Sequence, residues 1–176
     1  MNTLFPIFVK MKHIQTLLVG AGPVGLEKLQ AIFRSSPLAK VKIVAEQIIP
    51  EVFEFIADKE TIQLERRSFQ EWDLDGKDLV VVASNNPELN KQIREFTTKR
   101  HILLNVADKP DLCDFYLGSI VQKGNLKIGI STNGKSPTMA KRLKEFFNNW
   151  VFPVVVLYCF YDTYNWHDYG HCYEDN

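Results

Sequence analysis

The segment Leu17-Leu18-Val19-Gly20-Ala21-Gly22-Pro23-Val24-Gly25 constrains this chain more than any other. An apolar run of β type ends in Gly-x-Gly-x-x-Gly and passes directly into residues at helical spacing. Each glycine has its own mechanical reason. Gly20 permits the tight turn out of the strand, Gly22 has no Cβ and lets a pyrophosphate approach the backbone, and Gly25 lets the helix pack closely on the strand. The phosphates would meet the free N–H groups and positive dipole end of that helix. A turn of purely structural purpose needs one glycine rather than three, so the segment predicts a dinucleotide site. A second apolar run, Val41-Lys42-Ile43-Val44-Ala45, leads to Glu46, placed where an acidic side chain reads the 2′-hydroxyl of an adenosine ribose. Glu46 would repel a 2′-phosphate, and no arginine lies within Ala45–Pro50 to pair with one. The expected cofactor is therefore NAD rather than NADP.

Strands alternate with helices as far as Val106, the order that builds a parallel sheet covered on both faces. Pro23 to Arg34 reads as the first helix and ends at Ser35-Ser36-Pro37. A short helix starts near Pro50 with Val52, Phe53 and Ile56 on one face, and Thr61 to Glu65 alternates as a strand. Asp73 to Lys77 reads as a turn, Leu79 to Ala83 as a strand buried on both sides, and Asn86-Pro87 as the cap and first residue of a helix reaching about Lys99. Ile102 to Val106 is the fifth strand. From Cys113 the rhythm changes: Phe115–Gln122 and Leu126–Ser131 read as a hairpin, followed by a helix that Ser136 caps and Pro137 opens. Met139, Leu143, Phe146, Phe147 and Trp150 form an apolar stripe on it, suited to core packing or to another subunit. The expected fold is α/β: a Rossmann-like doubly wound parallel sheet, then a β-hairpin and helix. The expected divisions are residues 1–112, 113–150 and an atypical aromatic tail, 151–176.

A formal net charge of zero argues against broad nucleic-acid binding. Cys113, Cys159 and Cys172 are odd in number and widely spaced, so a reducing cytoplasm is the expectation. Met1–Pro6 shows no basic n-region or cleavage pattern. The apolar run Val151–Phe160 contains Pro153 and is about half the ~20 residues a membrane span needs. His167 and His171 stand four apart beside Cys172, but a zinc site wants a third and usually a fourth ligand. No metal site is expected.

Asp108 is the catalytic candidate, because it follows the fifth strand at the carboxyl edge where ligands bind in open α/β sheets. Asp111 and Asp114 follow closely, either to crowd the carboxylates into an acid–base group or simply to cap turns. Ser131-Thr132-Asn133-Gly134-Lys135, at a helix start, has the build of an anion site, or of a loop that only caps its helix.

Six blocks in order carry a family resemblance: Leu4-Phe5-Pro6-Ile7-Phe8, Val19-Gly20-Ala21-Gly22, Ala83-Ser84-Asn85-Asn86-Pro87-Glu88-Leu89-Asn90, Asn105-Val106-Ala107-Asp108, Cys113-Asp114-Phe115 and Ile130-Ser131-Thr132-Asn133-Gly134-Lys135-Ser136-Pro137. From about Leu4 to Trp150 the chain resembles the precorrin-2 dehydrogenase/sirohydrochlorin ferrochelatase family, the N-terminal part of siroheme synthases. The resemblance implies NAD-dependent oxidation of precorrin-2 to sirohydrochlorin, with iron (or cobalt) insertion as a second reaction, in a homodimer. It implies NAD contacts at Gly22, Pro23 and Val24 for the pyrophosphate, Glu46 and Gln47 near the adenine ribose, and Ala83 and Ser84 on the nicotinamide side. Asp108 matches the aspartate implicated in both reactions, and Thr132 matches a serine that is phosphorylated in some members. The tetrapyrrole is rich in carboxylates, and Lys123, Lys127, Lys135, Lys141 and Arg142 gather near the hairpin and last helix, as a substrate surface or a solvated face. Lys123, Lys135, Ser131 and Thr132 are the expected substrate contacts. The relatives' methyltransferase part has no counterpart here, so methylation is not expected. The rival class is an NAD(H)-sensing Rossmann module without catalysis; it would have no use for Asp108.

Overall fold

Alternation in the first strand sets how the core is built. Leu18 buries on one side with Ile43 and Val81, while Leu17 and Val19 bury on the other with Val44, Val80 and Val82. A strand covered on both faces needs apolar residues at every position, which is why these runs are unbroken.

The computed structural model describes residues 4–149. Its elements run β1 (Gln15–Ala21), α1 (Pro23–Ser35), β2 (Lys40–Ile48), α2 (Pro50–Ile56), β3 (Ile62–Glu65), β4 (Leu79–Val82), α3 (Pro87–Arg100), β5 (Leu103–Val106), β6 (Ser119–Lys123) and β7 (Leu126–Ile130). A final helix, α4, covers residues 137–149. The described residues form two compact units, 7–117 and a second that contains 118–149.

In the first unit five parallel strands lie in the order β3-β2-β1-β4-β5. This is the doubly wound Rossmann order, and its switch point falls between β1 and β4. Leu29, Ile32, Phe33 and Val52 from α1 and α2 cover one face; Ile93 from α3 and Leu74 cover the other. Each such side chain stabilises the fold by about 1.5–3 kcal/mol relative to exposure. The far edge, β5, is blunted by the segment that follows it. Leu104 N–H donates to the Asp114 carboxylate at 3.0 Å, Asp114 N–H donates back to Leu104 O at 2.7 Å, and the Asn105 amide donates to Phe115 O at 2.8 Å. An open edge would otherwise invite pairing with another chain.

The structure revises several local expectations. In α2, Phe53 is exposed and Phe55 instead packs edge-on against Phe33, at 6.0 Å between ring centroids. The buried stripe of this seven-residue helix follows Val52, Phe55 and Ile56, the i, i+3, i+4 spacing, and Phe53 lies off it. Phe115–Gly118 is not strand, so the hairpin begins only at Ser119. In the second unit Ala140, Leu143 and Phe147 pack with Val121, Ile128 and Ile130, while Met139 and Phe146 stay about half exposed. The apolar residues of α4 therefore divide between two faces. Trp150 and the tail with His167, His171 and Cys172 lie outside the described residues.

Asp73, expected in a turn, is fully buried at the end of the 3-10 helix Glu71–Leu74. Both its oxygens are engaged: Lys42 Nζ lies 2.9 Å from one, and the Arg67 guanidinium lies 2.6 and 2.7 Å from the two. The Gln70 backbone N–H donates a further bond at 2.9 Å, and Glu65 pairs with both Lys42 and Arg67. Burial alone would raise the Asp73 carboxyl, but the Arg67 and Lys42 cations and the Gln70 backbone N–H outweigh it and hold it at about 2. Since this lies below the ordinary value of 3.8, the stabilisation is complete above 3.8 and drains away as pH falls through about 2. Asp73→Asn leaves two cations without their buried partner and should lower stability by about 3–5 kcal/mol at pH 7. Urea unfolding of both proteins at pH 7 and near pH 2 checks this: the gap should shrink in acid, and a gap unchanged by pH contradicts the assignment.

Candidate functional site

The turn after β1 is shaped by a close approach of two backbones. Gly20 has φ +101°, and a Cβ there would lie 2.3 Å from the Ala83 carbonyl oxygen at the end of β4. Gly25 is as tight: its Cβ would meet the Gly20 carbonyl at 2.3 Å, which seats α1 on β1. Gly22 differs. Its φ is −83°, open to any residue, and a Cβ would meet nothing within 4 Å. Among the described residues no contact demands glycine at this position, and the space beside it is open. Gly22 is also the N-cap of α1 and brings no side chain to cap it. Pro23 has no N–H, and the amides of Val24 and Gly25 have no carbonyl four residues back within the helix. The result is an anion cradle, and the pyrophosphate of a dinucleotide fits it.

Glu46 and Gln47 reach the surface through an irregularity in β2. Val19 pairs with Val44 but Ala21 pairs with Ile48, so β2 takes four steps while β1 takes two. The extra residues bulge outward beside the glycine turn, and Glu46 and Gln47 are exposed there. The Ser68 hydroxyl donates to the Glu46 carboxylate at 2.5 Å.

On the other side of the switch point, Ala83 N–H donates to Val19 O at 2.8 Å. Ser84 is pinned twice: its hydroxyl accepts the Asn86 N–H at 3.0 Å, and its carbonyl accepts the amide of buried Asn90 at 3.1 Å. The Asn86 side chain caps α3, accepting from Glu88 N–H and Leu89 N–H at 3.1 and 3.2 Å. The start of α3 is thus closed by its own residues, whereas that of α1 is open.

Asp108 follows β5 in a left-handed conformation, φ +59°, and is exposed. Among the described residues its carboxylate makes no hydrogen bond or ion pair. Its loop closes around Cys113. The sulfur accepts Val106 N–H at 3.2 Å, and the thiol reaches the carbonyls of Val106 and Lys109 at 3.2 and 3.3 Å. Burial pushes this thiol up from its ordinary value. The three aspartates do not act alike. Asp114 forms an ion pair with Arg94 at 2.6 Å and binds Leu104, on the side of β5 away from its carboxyl end. Asp111 lies in the first turn of the 3-10 helix Pro110–Leu112 and is exposed.

In the second unit Lys123 and Lys127 stand on the hairpin, and the loop Ser131–Lys135 leads into α4. The Thr132 hydroxyl donates to Ser136 O at 3.1 Å and accepts the Ser136 N–H, while Asn133 N–H donates to the Ser131 hydroxyl and Lys135 N–H to Thr132 O. These amides are turned inward on the loop itself. The Lys135 side chain is exposed.

A family model described as NAD(P)-binding matches residues 7–119, more than half of the sequence. The chain belongs to this family. A second model, described as sirohaem biosynthesis protein central, matches residues 123–148. A siroheme synthase of Thioalkalivibrio sulfidiphilus is 32% identical over 147 residues, covering 84% of this chain and 29% of that protein. One from Vesicomyosocius okutanii is 35% identical over 139 residues, covering 79% and 29%. The chain therefore spans about three-tenths of the length of these curated relatives. Among solved structures, SirC, a precorrin-2 dehydrogenase, superposes with a TM-score of 0.67 at 26% identity, over 82% of this chain and 69% of that one. The fold is that of SirC, and the cofactor of the NAD(P)-binding unit is NAD.

Two alanine substitutions separate folding from binding in the glycine turn. Gly20→Ala combines a strained φ with a clash against Ala83 and should destabilise by on the order of 3 kcal/mol. Gly22→Ala should unfold within about 1 kcal/mol of the parent yet weaken NAD at least about tenfold, because its methyl fills the phosphate approach. Thermal unfolding and NAD titration check the pair; unimpaired NAD binding by Gly22→Ala contradicts the cradle.

Proposed function

We propose that this chain is an NAD-dependent precorrin-2 dehydrogenase that makes sirohydrochlorin in the cytoplasm as a homodimer, with iron insertion into the product as a second reaction. One observation carries the reading. At the carboxyl edge of one sheet, an uncapped helix start at Gly22 shares the edge with Asp108, an exposed carboxylate held in a left-handed turn with no partner among the described residues. A residue held in a sparsely populated conformation at a ligand-binding edge is a functional candidate.

When bound, NAD supplies the hydride acceptor. The protein supplies the rest. The Gly22–Gly25 turn binds the pyrophosphate through the amides of Val24 and Gly25, and the Ser84 turn, pinned by Asn86 and Asn90, borders the nicotinamide side. Oxidation of precorrin-2 removes a proton along with the hydride, and the Asp108 carboxylate accepts it at the macrocycle. In iron insertion the same carboxylate takes pyrrole protons, iron being held by the nitrogens of the substrate. Lys123, Lys135 and the Ser131 hydroxyl bind substrate carboxylates; the Thr132 hydroxyl, expected beside them, already donates to Ser136 O and holds the loop instead. Dimerisation covers the exposed Met139 and Phe146 on α4; sedimentation velocity should give a dimer for the parent and a monomer for Phe146→Glu, and a monomeric parent removes this part.

Incubation with precorrin-2 and NAD should generate NADH and sirohydrochlorin together. Asn tolerates a left-handed backbone as Asp does, so Asp108→Asn should fold normally. Its kcat should fall by about 10²–10⁴, with NAD affinity unchanged. No NADH from the parent removes the dehydrogenase reading and favours a sensor. Full activity in Asp108→Asn moves the proton acceptor elsewhere.

A further inference from the structure

The outward bulge of β2 brings Glu46 against residues that follow β3. Val44 pairs with Glu65, so the chain beyond β3 runs beside the bulge. Arg67 is turned to the buried network, where Glu65 and Asp73 hold its guanidinium. That anchoring fixes its neighbours. On one side of Arg67, Arg66 is exposed, places Nε 3.4 Å from the Glu46 carbonyl oxygen, and forms no ion pair among the described residues. On the other side, exposed Ser68 gives its hydroxyl to the Glu46 carboxylate. A hydroxyl donor thus holds the carboxylate proposed for the adenosine ribose, and a guanidinium with no ion pair among the described residues lies at the backbone carbonyl of the same residue. The arginine missing from Ala45–Pro50 arrives from the segment that follows β3.

We propose that Glu46, Ser68 and Arg66 together set the choice between NAD and NADP, and that Ser68 and Arg66 are a 2′-phosphate site which the Glu46 carboxylate alone keeps closed. With Glu46 present, the Ser68 hydroxyl holds the carboxylate in place to accept the 2′- and 3′-hydroxyls of NAD, and the carboxylate repels a phosphate dianion. With Glu46 removed, the Ser68 hydroxyl becomes a free donor and the Arg66 guanidinium meets the phosphate by charge-assisted hydrogen bonds. Ser68 is then a positioning residue for NAD and a direct ligand for NADP. The proposal rests on the ribose lying at Glu46, and the test separates the two claims.

NAD and NADP are titrated into the full chain and its variants by calorimetry, with thermal unfolding as the folding control. These side chains are exposed, so all variants should unfold as the parent does. The parent should prefer NAD. Glu46→Ser should bind NAD at least about fivefold more weakly and NADP at least about tenfold more tightly. Adding Arg66→Ala to Glu46→Ser should abolish the NADP gain and leave NAD binding as in the single variant. Ser68→Ala should lower the NAD/NADP ratio about three- to tenfold, and Ser68→Thr should restore it. If Glu46→Ser leaves NAD affinity untouched, the ribose does not lie at Glu46 and the proposal falls with that placement. If Glu46→Ser weakens NAD but gains no NADP affinity, or keeps the gain without Arg66, the ribose placement stands and the 2′-phosphate site is overturned.

Discussion

The approach of Gly20 to Ala83 is the contact on which the rest of this molecule depends. It brings the ends of β1 and β4 so close that no side chain can stand between them, with a Cβ at Gly20 only 2.3 Å from the Ala83 oxygen. Gly25 repeats the constraint one turn later and seats α1 on the Gly20 carbonyl. Two consequences follow. The switch point of the sheet opens directly onto the start of α1, and that start is left uncapped because Gly22 carries nothing to cap it. The start of α3 is satisfied by Asn86, so the two helices meeting at this edge are electrostatically unlike. Of these two starts, only that of α1 lacks a side-chain cap.

Around that edge, other contacts fix the groups that chemistry needs. The Cys113 thiol gathers backbone from Val106 and Lys109, and so defines the loop on which Asp108 stands in its left-handed conformation. The buried Asp73 network does the same for the chain after β3, binding Arg67 so that Arg66 and Ser68 lie beside Glu46. On the proposed reading stability and specificity are coupled: a charge buried between β2 and the 3-10 helix holds the surface assigned to the adenosine ribose.

Much of this was legible in the residues because the signals were local. Three glycines in one turn, an Asn-Pro helix start at Asn86 and unbroken apolar strands each carry their cause within a few positions, and the structure places the corresponding elements within a few residues. What escaped was set by distant partners. Asp73 looks like a turn residue in sequence, and only Lys42, Glu65 and Arg67 make it a buried anion. Asp114 looks like one of three crowded carboxylates, but Arg94 and Leu104 claim it. Arg66 and Ser68 lie some twenty residues from Glu46, and the register of β3 on β2 supplies the connection. The stripe on α4 divided because the hairpin offers it only the Ala140, Leu143 and Phe147 face.

The central claim is that the cofactor binds at an open helix start which no side chain among the described residues caps. Amide chemical shifts followed during NAD titration test it most directly. The Gly22, Val24 and Gly25 signals should move together and saturate, with Ala83 and Ser84 following, while the Glu88 and Leu89 amides that Asn86 already holds stay in place. Saturable shifts at Glu88 and Leu89 with none at Gly22 to Gly25 would contradict the account.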